Sequence, residues 1–417
     1  MDYSHFKTNN KRVLLFLTMF KLYQFGIHFY GLCLKVLSPF HKKAKQWTVG
    51  QRTVFNHLPN ITNKKILWIH CASLGEFLQA KPLIRIIKNC HPNYYILITF
   101  FSPSGYLNAN NNPIADCISY LPLDTSKNAK RFIKTIKPSM ALFIKNELWP
   151  NYLNELQKNN ISTFVVSALF RKDQFFFKPY GKWQLSILKK LNHFFVQDLN
   201  SKRILQSHSI SQVSVCGDTR FDSIKENVQS FEELPIIKAF KNNHDLIVCG
   251  STYLKDSLML FNISQRNPNL KFIIAPHEMD ICHQLKQSFL RYSQANAENV
   301  KNQSVILIDN VGMLSKLYAY ADLSYVGGGF GNKGLHNILE PLAFGIPTIF
   351  GPNYHAHNEA KEVIGFGIGF SIKSEAELEN KINKLLQKTV KKSIINEYCN
   401  NKIGASKFIY NQLKDSF

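Results

Sequence analysis

Two parallel, doubly wound α/β domains in tandem are the architecture this sequence predicts. Three observations carry the prediction. From Lys64 onward, short apolar runs alternate with amphipathic segments of helical period, a pattern that builds parallel sheets. The alternation pauses once after Gly217, at a charged connector over 225–241 broken by Pro235, and then restarts. At 417 residues the chain has the length for two domains of ordinary size.

The first 60 residues hold nine Lys or Arg and a single acidic residue, Asp2. Within them 13–37 is mostly apolar and aromatic, interrupted by Lys21, Gln24, His28 and Lys35. That stretch is long enough to cross a bilayer. Its internal lysines, and Lys42, Lys43 and Lys45 beyond it, equally suit a helix lying on anionic lipid. An ordinary core helix is the competing reading, and the concentration of charge favours a membrane anchor over 1–45. No small-residue cleavage site follows, so a removed signal peptide is not expected.

Strands are expected at 65–70, 94–100, 140–145, 162–169 and 193–197, with helices at 76–90, 126–136, 151–159 and 201–208 between them. The second set of strands is 246–250, 272–275, 305–309, 323–326 and 347–350. A lysine-rich helical tail over 375–413 closes the chain. The expected domains are 46–220 and 221–395, facing across a cleft at the carboxyl ends of their strands, with 396–417 as a terminal helical segment.

The stretch 322–352 is the richest in glycine. A strand at 323–326 leads into glycines 327, 328, 329, 331 and 334, then an amphipathic helix expected over 335–344, then a second strand. Such a turn into a helix N-terminus is an anion site, and Glu340 within the helix suits ribose hydroxyls. Packing of helix on strand is the plainer purpose of these glycines. The formal match to the dinucleotide fingerprint is weak. It lies in the last quarter of the chain, and its acidic residue stands six positions beyond Gly334 rather than about 20.

Four further motifs sit at strand ends. Ser73-Leu-Gly-Glu76 reads as a capping box, and Glu76 equally as a carboxylate at the mouth of the first domain's cleft, kept ionised by the helix N-terminus. Asn146-Glu-Leu-Trp-Pro150 puts Glu147 after the strand at 140–145, where it would converge with Glu76. In Gly217-Asp-Thr-Arg-Phe-Asp222, Arg220 suits either a phosphate or a salt bridge with Asp218 or Asp222. His277, after the strand at 272–275, suits either a nucleotide contact or a helix cap. No D-x-D sequence and no metal-ligand spacing occurs, which favours chemistry without a metal or other cofactor. The eight cysteines lack a C-x-x-C pair and suit a reducing compartment. Lys plus Arg exceed Asp plus Glu by 51 − 28 = 23, which calls for an anionic partner.

These motifs together resemble the 3-deoxy-D-manno-octulosonic acid (Kdo) transferases, over nearly the whole chain. The resemblance rests on SLGE at 73–76 with Pro82, NELWPN at 146–151, GDTRFD at 217–222, GST at 250–252, HNILEP at 336–341 and FGP at 350–352. It implies a GT-B fold with an N-terminal membrane-anchor helix, and inverting, metal-independent transfer of Kdo from CMP-Kdo to lipid IVA in lipopolysaccharide biosynthesis. The place implied is the cytoplasmic face of the inner membrane. Glu76 becomes the general base, Glu147 a stabiliser of the transition state, and Arg220 the basic residue of the third motif. CMP contacts fall on Pro276, His277, Val311, Gly312, Met313, Asn337, Ile338, Leu339 and Glu340. The sequence departs from the family at Asp218, where Asn is usual, at Lys145, where Glu is usual, and at Leu335, where Gly is usual. Its Pro276-His277-Glu278 is also shorter than the family's equivalent.

The rival readings are a GT-B enzyme using a nucleotide-diphosphate sugar, a nucleic-acid-binding protein and an NAD-dependent dehydrogenase. The second lacks aromatic-flanked basic motifs, so nucleic acid is not expected as a partner. The third has only the misplaced fingerprint.

Overall fold

A computed structural model describes residues 3–59, 61, 63–109, 112–229, 233–285, 289–332, 334–388 and 390–417. The chain forms two compact units, Met1–Ser223 with Gly404–Phe417, and Ile224–Ile403.

The first unit is built on seven parallel strands: β1 (Lys65–Cys71), β2 (Tyr94–Phe100), β3 (Cys117–Tyr120), β4 (Met140–Ile144), β5 (Ser162–Ala168), β6 (His193–Val196) and β7 (Val213–Val215). Their order is β3-β2-β1-β4-β5-β6-β7. Successive residues of β1 serve opposite faces. Ile66 and Trp68 enter one apolar layer, Leu67, Ile69 and Cys71 the other. Trp68 is fully buried, its ring 5.0–5.6 Å from Phe132, Phe143 and Tyr152.

The second unit repeats the plan with β8 (Leu246–Thr252), β9 (Lys271–Pro276), β10 (Leu290–Arg291), β11 (Val305–Leu307), β12 (Leu323–Val326), β13 (Thr348–Phe350) and β14 (Gly369–Ser371). The order is β10-β11-β9-β8-β12-β13-β14, again all parallel. Of the 14 strands among the described residues, β3, β7, β10 and β14 were not expected from sequence, and they are the four sheet edges. An edge strand has one neighbour and one exposed flank. Cys-Ile-Ser-Tyr, Val-Ser-Val, Leu-Arg and Gly-Phe-Ser therefore carry no sustained apolar run.

The amino-terminal stretch forms a helix, Tyr3–Leu37. Among the described residues no helix is long and apolar enough to cross a membrane, so of the two anchor readings left open by the sequence the spanning one finds no helix to carry it. Lys21, Gln24, His28 and Lys35 interrupt the apolar run, and one face packs on the domain. Tyr23 O–H donates to Asp124 (2.5 Å) and Gln24 Nε2–H to Asn151 Oδ1 (2.6 Å). Phe20 and Tyr23 lie against Trp183 at 5.7 and 5.3 Å. The other face leaves Leu22, Phe25, Phe29, Leu32 and Val36 exposed, spaced three and four apart.

The connector expected over 225–241 forms two helices, Arg220–Gln229 and Pro235–Lys241, with 230–232 outside the described residues. The helical tail is made of Glu375–Gln387, Lys392–Asn400 and Ala405–Leu413. The last belongs to the first unit, not to a separate terminal segment. Ile409 and Leu413 are buried there, and Asp222 accepts the N–H groups of Gly404 (2.6 Å) and Ser406 (2.7 Å). A carboxylate thus caps that helix start from elsewhere in the chain.

Candidate active site

In each sheet the strand order reverses beside its first strand, between β1 and β4 and between β8 and β12. Ligand sites of open α/β sheets lie at the carboxyl ends of strands at such a switch point. Glu76 and Glu147 follow β1 and β4, and Asn337–Glu340 follow β12, whereas Pro276 and His277 end β9, Val311–Met313 follow β11 and Arg220 follows the edge strand β7.

In the first unit, Ser73 caps helix Leu74–Cys90, its Oγ accepting the Glu76 N–H at 3.4 Å. The Glu76 carboxylate turns back and accepts the N–H of Ala72 at 2.5 Å. Ser73 therefore caps the helix, while the return bond of a capping box goes to Ala72 rather than to Ser73, and Glu76 is only 8% exposed. Burial, followed by the neighbouring charge of Glu147, pushes its carboxyl up to about 7, against the Ala72 N–H and the Lys145 ammonium. The helix N-terminus does not keep it ionised as expected, because desolvation outweighs it. Burial raises Glu147 as well. Glu147 follows the strand beside that of Glu76 and is near enough for its charge to act on it.

The turn carrying Glu147 is fixed by residues that sequence reading did not single out. Trp149 Nε1–H donates to His70 Nε2 (3.1 Å). Indole nitrogen only donates, so Nε2 is the acceptor and Nδ1 carries the imidazole proton, directed at Thr99 Oγ1 (3.0 Å). Burial pushes His70 down to about 3, so the ring is neutral. It clamps the 146–150 turn to β1. Lys145 precedes that turn with a left-handed φ of 59°, and its N–H is held by the Val166 carbonyl (2.8 Å).

Arg220 is oriented by Asp218. Its Nε and a terminal nitrogen approach Asp218 Oδ2 at 2.7 and 2.6 Å, while Oδ1 accepts Gln79 Nε2–H at 3.0 Å. The salt bridge offered as the alternative for Arg220 exists, and its partner is Asp218. Asp222 serves the helix cap instead.

In the second unit, Pro276 ends β9 and the His277 N–H bonds the Thr252 carbonyl at the end of β8 (3.0 Å). The His277 ring lies 4.2 Å from His336 and 5.5 Å from Tyr253, and His336 Nε2 is 3.1 Å from the Tyr253 hydroxyl. Tyr253 and His336 were not assigned a role from sequence, although His336 opens the HNILEP motif. Asn337 Nδ2–H bonds Glu340 (3.0 Å) and its Oδ1 accepts the Leu339 N–H (3.2 Å). Burial raises the Glu340 carboxyl, with Asn337 opposing. Ile338 and Leu339 are buried, so only their backbone is available to a ligand. Val311 is 73% exposed beside Gly312 (φ 98°), and Met313 Sδ receives Asn310 Nδ2–H.

The helix expected over 335–344 is shorter, Leu339–Ala343. Pro341 would sit in the interior of the longer helix, where it has no N–H for the Asn337 carbonyl. The helix therefore starts at the Ile338 cap and not at Leu335. The glycines serve close backbone approach instead. A Cβ on Gly329 would lie 2.6 Å from Gly351, and one on Gly327 2.3 Å from the Ser251 carbonyl. Among the described residues no group of three His, Cys, Asp or Glu side chains is placed to hold a metal ion.

Residues 48–223 match the family model for 3-deoxy-D-manno-octulosonic-acid transferase (kdotransferase). The chain is 30% identical to the 3-deoxy-D-manno-octulosonic acid transferase of Aquifex aeolicus over 342 residues, 79% of this chain and 88% of that one. It is 27% identical to a bifunctional glycosyltransferase/methyltransferase of Fusobacterium nucleatum, covering 85% of this chain but only 58% of that longer protein. Among solved structures, the UDP-GlcNAc 2-epimerase of Neisseria meningitidis superposes with a TM-score of 0.58 at 14% identity, over 84% of this chain and 100% of that one. At that identity the likeness speaks for the fold alone, two parallel-sheet domains of the GT-B type. With neighbouring carboxylates at one switch point and a match this long to the Aquifex protein, the chain belongs to the 3-deoxy-D-manno-octulosonic-acid transferase family of glycosyltransferases.

Proposed function

We propose that the protein transfers Kdo from CMP-Kdo to lipid IVA with inversion and without a metal ion, at the cytoplasmic face of the inner membrane. The observation that carries this reading is the nearness of Glu147 to Glu76 at the β1/β4 switch point. A base poised near 7 is half ionised at neutral pH and regains its proton readily. Glu76 takes the proton of a glucosamine hydroxyl, whose oxygen bonds to the anomeric carbon of Kdo as the bond to the CMP phosphate breaks. Glu147 lies where positive charge grows on the sugar, and Arg220, held in orientation by Asp218, is assigned to the departing phosphate. The second unit holds the nucleotide through His277, His336 and Tyr253, with Asn337 and Glu340 for the ribose. The exposed stripe of helix Tyr3–Leu37, with its lysines, rests on the anionic leaflet rather than crossing it.

Mass spectrometry of lipid IVA incubated with CMP-Kdo and the protein in EDTA tests the reading. The expected product is lipid IVA heavier by Kdo. Unchanged lipid would overturn the transfer, and product only after Mg²⁺ is restored would overturn its metal independence.

A further inference from the structure

A cavity of about 360 Å³ lies between the amino-terminal helix and the 101–103 turn of the first unit. Its apolar lining is Tyr30, Leu34, Leu37, Trp47, Phe101 and Pro103. The volume is in the range of sites that hold small ligands, about 300–1,000 Å³. Water gains little in such a lining, because it finds few polar partners there.

Its position says what fills it. Tyr30 stacks on Phe101 (6.3 Å), and Phe101 packs on Trp149 (4.9 Å), two residues beyond Glu147. Burial and the charge of Glu147 together raise the Tyr30 phenol, in keeping with a cavity wall that lies near Glu147. Lys43 and His41, both exposed, also line it and suit an anionic headgroup. Leu37 is half exposed and lies beside Val36, the last residue of the apolar stripe, so the cavity continues from the face assigned to the membrane.

We propose that this cavity is the acyl-chain site of the acceptor. One chain enters between the helix and the 101–103 turn and sets the sugar hydroxyl at Glu76. The inference rests on the reading of the acceptor as a lipid.

Two measurements on the full-length protein test it. The first is photolabelling of wild type with lipid IVA carrying a diazirine in one acyl chain. Label is expected within 30–47 and 101–103, and unlabelled lipid IVA should compete it away. Label confined to the outer stripe at Phe25 and Phe29, or competed equally by phosphatidylglycerol vesicles, would show that the chains stay in bulk lipid and would overturn the site. The second is Leu34→Trp, which fills the cavity. It should raise KM for lipid IVA about tenfold, the effect of about two methylenes left unburied, while KM and kcat for the deacylated disaccharide phosphate stay within twofold. A folded variant that treats both acceptors alike would also overturn it. Should the variant fail to fold, the wild-type labelling decides. A wild-type protein that transfers Kdo to neither acceptor would overturn the proposed function, and labelling would still report on the cavity.

Discussion

Glu76 is at once a bonding partner at the helix start and a desolvated carboxylate, and its stability signature separates the two. Folding raises its carboxyl from the ordinary 4.5 to about 7, so the folded state binds the proton more tightly than the unfolded one. The stability this gives is complete below pH 4.5 and is lost as pH rises through about 7. Glutamine keeps an oxygen for the Ala72 N–H and cannot ionise. Melting curves of Glu76→Gln should therefore match wild type at pH 4 and equal or exceed it at pH 8. A variant that melts well below wild type at pH 8 would show that ionised Glu76 stabilises the fold. Arg220 is judged by turnover instead. Arg220→Ala should slow transfer about 100-fold, the scale of one electrostatic contact to developing charge, and Arg220→Lys less. If the alanine variant turns over normally, Arg220 serves the fold through contacts such as that to Asp218 and not the phosphate. Both glutamates were legible in sequence because each follows an apolar run at a strand end. The direction of the shift was not. It depends on how deeply the strand ends are buried, and the capping pattern alone points the other way.

At the scale of elements, the glycine-rich turn changes meaning once neighbouring chain is present. Sequence shows where side chains are missing but not what occupies the space. At Gly329 that occupant is the Gly351 backbone, which belongs to the FGP motif 22 residues later. Gly329→Ala should cost about 1–3 kcal/mol, as overpacking does, and weaken CMP binding by displacing the 327–338 segment. Calorimetric melting and titration with CMP would check both, and unchanged values would mean the two turns separate freely. The strands divide on the same principle. Those buried on both sides, such as Tyr-Tyr-Ile-Leu-Ile-Thr-Phe in β2, announce themselves, whereas the four edges do not. The helix expected from Leu335 failed for a reason the sequence did contain, because Pro341 forbids an early start.

For the whole molecule, the excess of 23 positive charges and the outer stripe of the amino-terminal helix belong together. Sedimentation with vesicles rich in phosphatidylglycerol should carry the protein down at low salt and release part of it in high salt, where charges are screened within about 3–10 Å. Phe25→Ser with Phe29→Ser should weaken binding at least about tenfold, since each exposed ring is worth on the order of 1.5–3 kcal/mol when buried. A double variant that sediments like wild type would move the membrane contact elsewhere. The tandem α/β plan was readable because alternation of apolar runs and helical periods survives along the chain. The return of Ala405–Leu413 to the first unit was not, since it depends on Asp222 meeting two N–H groups about 180 residues away.

The central claim is that Glu76 is the base of a Kdo transfer, and the rate of that transfer as a function of pH tests it most directly. With CMP-Kdo and lipid IVA, the wild-type rate should rise with pH to a plateau through an apparent value near 7, set by Glu76 with Glu147 beside it. Glu76→Gln should lose that rise and fall at least about 100-fold at the plateau, the lower end of what a general base contributes. A glutamine variant that transfers Kdo within a few-fold of wild type, with the same pH profile, would contradict the account and leave Glu76 as a helix cap.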